Sequence, residues 1–351
     1  MIPERILVIH LKRIGDILLT TPALAEMRRL FPKSRIDFLV YRPFTSILEG
    51  NPNIDDIVVF PRTKPWLWPS LLRKGRYDWV IDFLATGASA WASVLSGAAQ
   101  RIAFNNSYPA LVHNVKIPPP DQPMYSPLEK IHLLHEAAKR AGITVSPARG
   151  WGRPELYVEQ DRKDYWLDVL EKSGLKKNGA PLIMLSPQSR RATRQWRLEG
   201  YVEAAKKLAE QGTRVACLWG PDEYQEASKL VAMVNRPSVM MAPQFRNIKD
   251  LGAYLSHADC LITNCNGTKH VAVAMGVPTV TIHMSSDPRV WNPRGIPAHP
   301  VVRLEKLFCI GCQKNACPYN LECSRDLEAD IVVQKTLGLI GDKLKSVAFK
   351  T

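Results

Sequence analysis

The chain has 351 residues, 46% of them hydrophobic and 23% charged, which suits a soluble globular protein of two domains with a sizeable core. Lysine and arginine number 47 against 33 acids, and the net charge of +14 points to an acidic partner: nucleic acid, anionic lipid or a phosphorylated substrate. No apolar run is long enough to span a bilayer, and Pro3 and Glu4 precede a short strand where a signal peptide would need an apolar stretch, so a cytoplasmic protein is expected.

Arg5-Ile6-Leu7-Val8-Ile9-His10 reads as the opening strand, followed by a strand-to-helix loop that ends on Ile14-Gly15-Asp16. Thr21 and Pro22 suit the N-cap and first position of the next helix. Strands at 35–40, 54–60 and 77–83 follow. Between the last two, residues 61–76 hold Trp66, Trp68 and five cations without an acid. That mixture suits the interface of an anionic membrane, or equally a solvated helix whose tryptophans pack inward. Another short strand lies within 97–104, and the proline-rich residues 109–127 read as an irregular excursion. A helix over 130–141 carries His132 and His135, better suited to the surface or to substrate contact than to metal, since no third ligand is near.

Residues 161–173 form an amphipathic helix, and 174–181, with Lys176, Lys177, Asn178 and Gly179, read as the interdomain linker. A second alternation then begins, with strands at 182–186, 214–219, 239–241, 260–263 and 279–283. Its helices start near Leu198, Asp222, Ile248 and Gly267. Strands alternating with helices in two similar halves predict an α/β protein with doubly wound parallel sheets, whose ligands bind beyond the carboxyl ends of the strands.

Four strand-end loops carry the chemistry. Gly15 permits a tight turn, and Asp16 is a candidate general base or a helix cap. Residues 186–196 interleave Arg190, Arg191 and Arg194 with Ser189 and Thr193, a composition that grips phosphate through guanidinium and hydroxyl groups. Gly220-Pro221-Asp222-Glu223 delivers an acid to a strand end, where it can accept from ribose hydroxyls or cap the next helix. Asn264-Cys265-Asn266-Gly267-Thr268-Lys269-His270 is a strand, turn and helix start. Backbone N–H groups and the helix dipole there favour an anion, and Lys269 and His270 are placed to add charge or hydrogen bonds.

Together these loops resemble the heptosyltransferases, glycosyltransferase family 9, over nearly the whole chain. The similarity lies in Arg13-Ile14-Gly15-Asp16 with the helix after it, in Arg194-Gln195-Trp196 with arginine where lysine is usual, in Gly220-Pro221-Asp222-Glu223, and in 264–270 with Gly276-Val277-Pro278 and Trp291-Asn292-Pro293. The resemblance implies a GT-B fold, two Rossmann-like domains facing an interdomain cleft. On that basis 1–175 is an acceptor-binding domain, 176–325 a nucleotide-sugar-binding domain, and 326–351 a C-terminal helix. It implies inverting, metal-independent transfer of heptose from ADP-heptose to the inner core of lipopolysaccharide, at the inner face of the inner membrane, with no catalytic cofactor and no nucleic acid as partner. Asp16 would be the base beside Gly15. Ser189 and Arg194 would hold the diphosphate, Glu223 the ribose, and Asn266, Gly267, Lys269 and His270 the donor loop. An anionic glycolipid acceptor would account for the +14, and the lack of any Asp-x-Asp leaves the leaving charge to arginine, lysine and helix N-termini.

One position departs from the family pattern, which usually has aspartate and then serine or threonine where this chain has Cys265-Asn266. Cysteine is a weak acceptor, so either Asn266 takes over the cap or the turn is looser. Cys309, Cys312, Cys317 and Cys323 lie within fifteen residues and suit a structural zinc or iron, reduced thiols packed in a loop, or disulfides formed on oxidation. Two other activities compete with the lipopolysaccharide reading: heptose transfer to a protein hydroxyl, in a related branch with cysteine-bound iron, and non-catalytic binding of a nucleotide sugar or anionic glycolipid.

Overall fold

The first strand, β1 (Arg5–Ile9), contains Ile6, Leu7, Val8 and Ile9, all fully buried. A strand covered on both faces has no solvent side to alternate with, which marks the centre of a parallel sheet. The computed structural model describes residues 2–106, 111–147 and 149–348. Residues 109–110 of the proline-rich stretch, and Ala148, lie outside the described residues.

The chain divides into two units, Met1–Tyr157 and Val158–Thr351. In the first, β1 leads to α1 (Ile14–Leu18), α2 (Thr21–Leu30), β2 (Arg35–Val40), β3 (Asp56–Val59), α3 (Trp68–Lys74), β4 (Trp79–Asp82), α4 (Gly87–Leu95), β5 (Gln100–Phe104), β6 (Val115–Ile117) and α5 (Ser126–Arg140). The six strands are parallel in the order β3-β2-β1-β4-β5-β6, with Ile9 of β1 opposite Leu39 on one side and Asp82 on the other. Helix α2 packs on α5, and α3 on α4. Right-handed crossovers running opposite ways along the sheet put these pairs on opposite faces. Strand β6 falls inside the stretch expected to be irregular: it is a three-residue edge strand, stopped by the prolines after Ile117.

The second unit contains α6 (Gln160–Lys172), β7 (Leu182–Ser186), α7 (Leu198–Glu210), β8 (Arg214–Cys217), α8 (Tyr224–Val234), β9 (Val239–Met241), α9 (Ile248–Leu255), β10 (Cys260–Asn264), α10 (Gly267–Ala274), β11 (Thr279–Ile282), α11 (Pro288–Trp291), β12 (Val301–Val302), α12 (Glu322–Arg325) and α13 (Ala329–Ala348). Its parallel sheet runs β12-β11-β10-β7-β8-β9. The boundary differs from the expected 175: α6 packs on α9, where Trp166 meets Phe245 at 5.3 Å and Tyr254 at 5.6 Å between ring centroids. Residues 174–181 therefore join α6 to β7 inside one unit. Helix α13 is the expected C-terminal helix, and it packs on α7 and β10 and buries Val332, Val333 and Ile340 in the core of the second unit.

Candidate active site

Ligands of doubly wound sheets dock where the strand order reverses, because the loops there part in opposite directions. In the second unit the chain moves outward from β7 through β8 to β9, and from β10 through β11 to β12, so the reversal lies between β7 and β10. The loops leaving those two strands are the arginine-rich segment and the 264–270 turn.

Two asparagines lock these loops together. Asn264, fully buried, accepts the Trp196 backbone N–H at 3.0 Å and donates its amide to the Pro187 carbonyl at 2.6 Å. Asn266 is the N-cap of α10, its side-chain oxygen accepting the Lys269 N–H at 3.1 Å. Its amide nitrogen donates to Ser186 Oγ at 3.1 Å and to the Gln188 carbonyl at 3.0 Å. Asn266 thus takes over the cap that Cys265 cannot supply, and Cys265 is a buried free thiol.

Trp291 organises the far side. The Arg194 guanidinium lies 5.9 Å over its ring, and the His270 ring is 6.3 Å away. The Lys269 ammonium donates to the Trp291 carbonyl. Lys269 is fully buried, and burial pulls its ammonium down to about 8. Its observed bond ties the turn to the 287–293 segment, while the half-buried Gly267 and Thr268 begin the helix above it. Ser189 and Arg194 are half-buried and Arg190 exposed, whereas Arg197 is matched by Glu203 at 2.9 Å. The loop is braced from below: Thr193 accepts the Ser285 N–H on its carbonyl at 3.2 Å, and its hydroxyl donates to the Lys314 carbonyl at 2.8 Å.

Glu223 closes its own turn, accepting the Gly220 N–H at 2.7 Å, and burial raises its carboxyl above the usual range. Beside it Trp219 and Tyr224 meet edge to face at 5.1 Å, and Tyr224 is exposed.

In the first unit the reversal lies between β1 and β4. Asp16, half-buried, sits in the first turn of α1, immediately after Gly15 and three residues from Arg13, whose φ of 79° is in the left-handed region. Nothing local in the sequence marked its neighbours. Lys130 on α5 is 7% exposed and donates to Ser126 Oγ at 2.7 Å. Burial lowers its ammonium, and the carboxylates of Asp16 and Glu129 oppose that fall. His10, at the end of β1, is pushed down to about 3 by burial and then by the Lys130 charge, so its imidazole is neutral at pH 7. Asp82, at the end of β4, lies 3.3 Å from His113 with both side chains fully buried, and accepts the Leu84 and Ala85 N–H groups. His135 is drawn away to Glu26 at 2.5 Å, which also holds Arg29.

Cys309, Cys312, Cys317 and Cys323 line one cavity of about 140 Å³ together with Thr193, Ser285 and Tyr319. Burial and the neighbouring thiols push Cys323 up to about 11, and Cys317 Sγ accepts the Tyr319 N–H at 3.3 Å. Four thiols around one cavity are a suitable donor set for a soft metal. The arrangement is not a ligating one: among the described residues no three His, Cys, Asp or Glu groups come together as a metal site, and all seven cysteines are free thiols. The expected structural zinc or iron therefore lacks geometric support among the described residues.

The fold is shared with solved structures. A family 9 glycosyltransferase from Veillonella parvula matches 97% of this chain and 97% of its own, with a TM-score of 0.81 at 20% identity. The E. coli ADP-heptose lipopolysaccharide heptosyltransferase II matches 97% and 99%, with a TM-score of 0.79 at 19% identity. These likenesses define the class as GT-B, built on two parallel α/β sheets. Residues 68–321, well over half the chain, match the family described as glycosyltransferase family 9 (heptosyltransferase). The chain belongs to that family and is a glycosyltransferase. Lipopolysaccharide heptosyltransferase 1 of Pseudomonas aeruginosa is 24% identical over 330 residues, 90% of this chain and 88% of that protein.

Proposed function

We propose that this chain transfers heptose from ADP-heptose to a sugar hydroxyl of the lipopolysaccharide inner core, with inversion and without a catalytic metal. The observation that carries the reading is the fusion of the arginine-rich loop to the N-terminus of α10 through Asn264 and Asn266. A guanidinium, a hydroxyl and a capped helix start held on one rigid frame suit a leaving diphosphate, whose negative charge grows in the transition state.

In this reading Asp16 takes the proton of the acceptor hydroxyl as its oxygen attacks the anomeric carbon. The bond from that carbon to the diphosphate oxygen breaks on the opposite face, and ADP leaves with the charge. Arg194, Ser189 and the Gly267 end of α10 receive it. His270 and Trp291 shape the donor loop, Lys269 holds that loop to the 287–293 segment, and Glu223 faces the ribose. Lys130 lies within electrostatic reach of Asp16, whose carboxylate opposes the fall that burial imposes on the lysine ammonium. The acceptor is an anionic glycolipid met at a membrane surface. Non-catalytic binding loses its motive, since it rested on a loosened turn at Cys265 and Asn266 supplies the cap.

Calorimetric titration with ADP, UDP and GDP tests the donor class. ADP should bind at least about tenfold tighter than the others, and Arg194→Ala should weaken ADP by about 10- to 100-fold, as losing a charge-assisted contact to phosphate implies. Preference for UDP or GDP, or an unchanged ADP affinity in the variant, would contradict the assignment.

A further inference from the structure

Residues 61–76 divide into an inward and an outward set. Trp68 donates its indole N–H to the Pro61 carbonyl at 2.9 Å and stacks on Phe60 at 4.5 Å, so it belongs to the core. Trp66, in the short 3-10 turn Pro65–Leu67 before α3, is 70% exposed, and Leu67 is exposed beside it. Helix α4 packs against α3 over the same cluster of Phe60, Leu72 and Ala92. Its outer stripe repeats the pattern: Trp91 is 62% exposed and Val94, one turn on, is exposed too. Two tryptophans standing mostly in solvent on adjoining elements are an unusual use of the largest apolar side chains.

The charges around them are equally one-sided. Arg62, Lys64, Arg73, Lys74 and Arg76 are all exposed, and among the described residues none has an acid in ion-pair contact. Arg62 instead lies 5.9 Å over the Tyr41 ring. No acid occurs from 61 to 77, and Asp78 is occupied by the backbone N–H groups of Glu4 and Arg5 at 2.7 and 2.9 Å. Elsewhere in the unit some arginines have acids, as Arg28 has Asp55 at 2.7 Å and Arg35 has Asp37 at 2.9 Å, and others are held by backbone carbonyls, as Arg140 is by Lys116 at 2.7 Å.

We propose that this face of the first unit, the Pro65–Leu67 turn with α3 and α4, docks on an anionic bilayer. Unmatched cations are drawn to acidic headgroups, and exposed indoles settle at the boundary between headgroup and acyl chain. The charge argues against a second copy of the chain, because two such faces would repel. The proposal is independent of donor and acceptor identity, and it gives the glycolipid reading a place of contact.

The test is binding of the full chain to vesicles of phosphatidylcholine alone and of phosphatidylcholine with about 30% phosphatidylglycerol, a composition chosen to give a strongly negative surface. Binding should require the anionic lipid and fall steeply with salt. Arg73→Ser with Lys74→Ser should weaken it by roughly fivefold per cation. Trp66→Ser with Trp91→Ser should weaken it while leaving the salt dependence unchanged, and should abolish tryptophan quenching by brominated lipid. Equal binding to neutral vesicles, or unchanged binding in both double variants, would overturn the proposal. So would tight binding to duplex DNA, or self-association, lost with the same substitutions. Transfer to a water-soluble acceptor fragment separates the two readings. Intact transfer by variants that no longer bind vesicles supports the docking face. Failed transfer by a wild type that does bind vesicles overturns the heptosyl reading alone.

Discussion

Asn266 does the work of two residues. It caps α10 in place of Cys265, and it ties the turn to Ser186 at the end of β7 and to Gln188 in the loop after it. Asn266→Ala should therefore cost about 1–2 kcal/mol, the cap together with the cross-strand bonds, and should weaken ADP binding. Asn266→Ser should restore much of the stability. A midpoint of denaturant unfolding unchanged in the alanine variant would contradict this account. His10 gives a pH signature. Its imidazole is held near 3 when folded and near its ordinary value when unfolded, so the unfolded chain gains a proton first on acidification. The stability that His10 owes to remaining neutral is complete above the unfolded pKa and is lost as the pH falls towards 3. Compared with His10→Gln, the wild type should lose about 2 kcal/mol more between pH 7.5 and pH 5.0. A difference between the two proteins that does not change with pH would show that His10 is solvated.

At the scale of elements, the cysteine cluster separates buried from reachable thiols. Cys217, Cys260, Cys265 and Cys323 are buried, whereas Cys309, Cys312 and Cys317 are exposed or half-exposed. A thiol reagent should find three fast groups in the native protein and all seven in denaturant. Blocked thiols released by a chelator would reveal a metal instead. The strands and strand-end loops were legible in the sequence because buried parallel strands are continuous apolar runs, and because Asp16, Arg194 and Asn266 lie in the segments that follow them. The boundary at 157 was not legible. Glycine and lysine at 174–179 look like a linker locally, and only the contact of Trp166 with Phe245 and Tyr254 assigns α6 to the second unit. Lys130 was missed for the same reason, since its approach to Asp16 and to His10 arises from packing between elements far apart in sequence. The inward and outward tryptophans of 61–76 could not be told apart by spacing: Trp68 packs inward as one reading expects, while Trp66 is exposed and the membrane reading rests on it as a proposal.

For the whole molecule, the account assigns donor binding to the second unit and proton removal to the first. Among the described residues no helix is long and apolar enough to cross a membrane. The claim tested most directly is that this chain is a heptosyltransferase using Asp16 as its base. The measurement is acceptor-dependent release of ADP from ADP-heptose by the wild type and by Asp16→Asn, with ADP affinity measured in parallel. The account predicts release by the wild type only when an inner-core acceptor is present. It predicts a fall of about 10²- to 10⁴-fold in the variant, the range for losing a general base, with ADP affinity kept within about twofold. No acceptor-dependent release by the wild type, or near-wild-type turnover by Asp16→Asn, would contradict it.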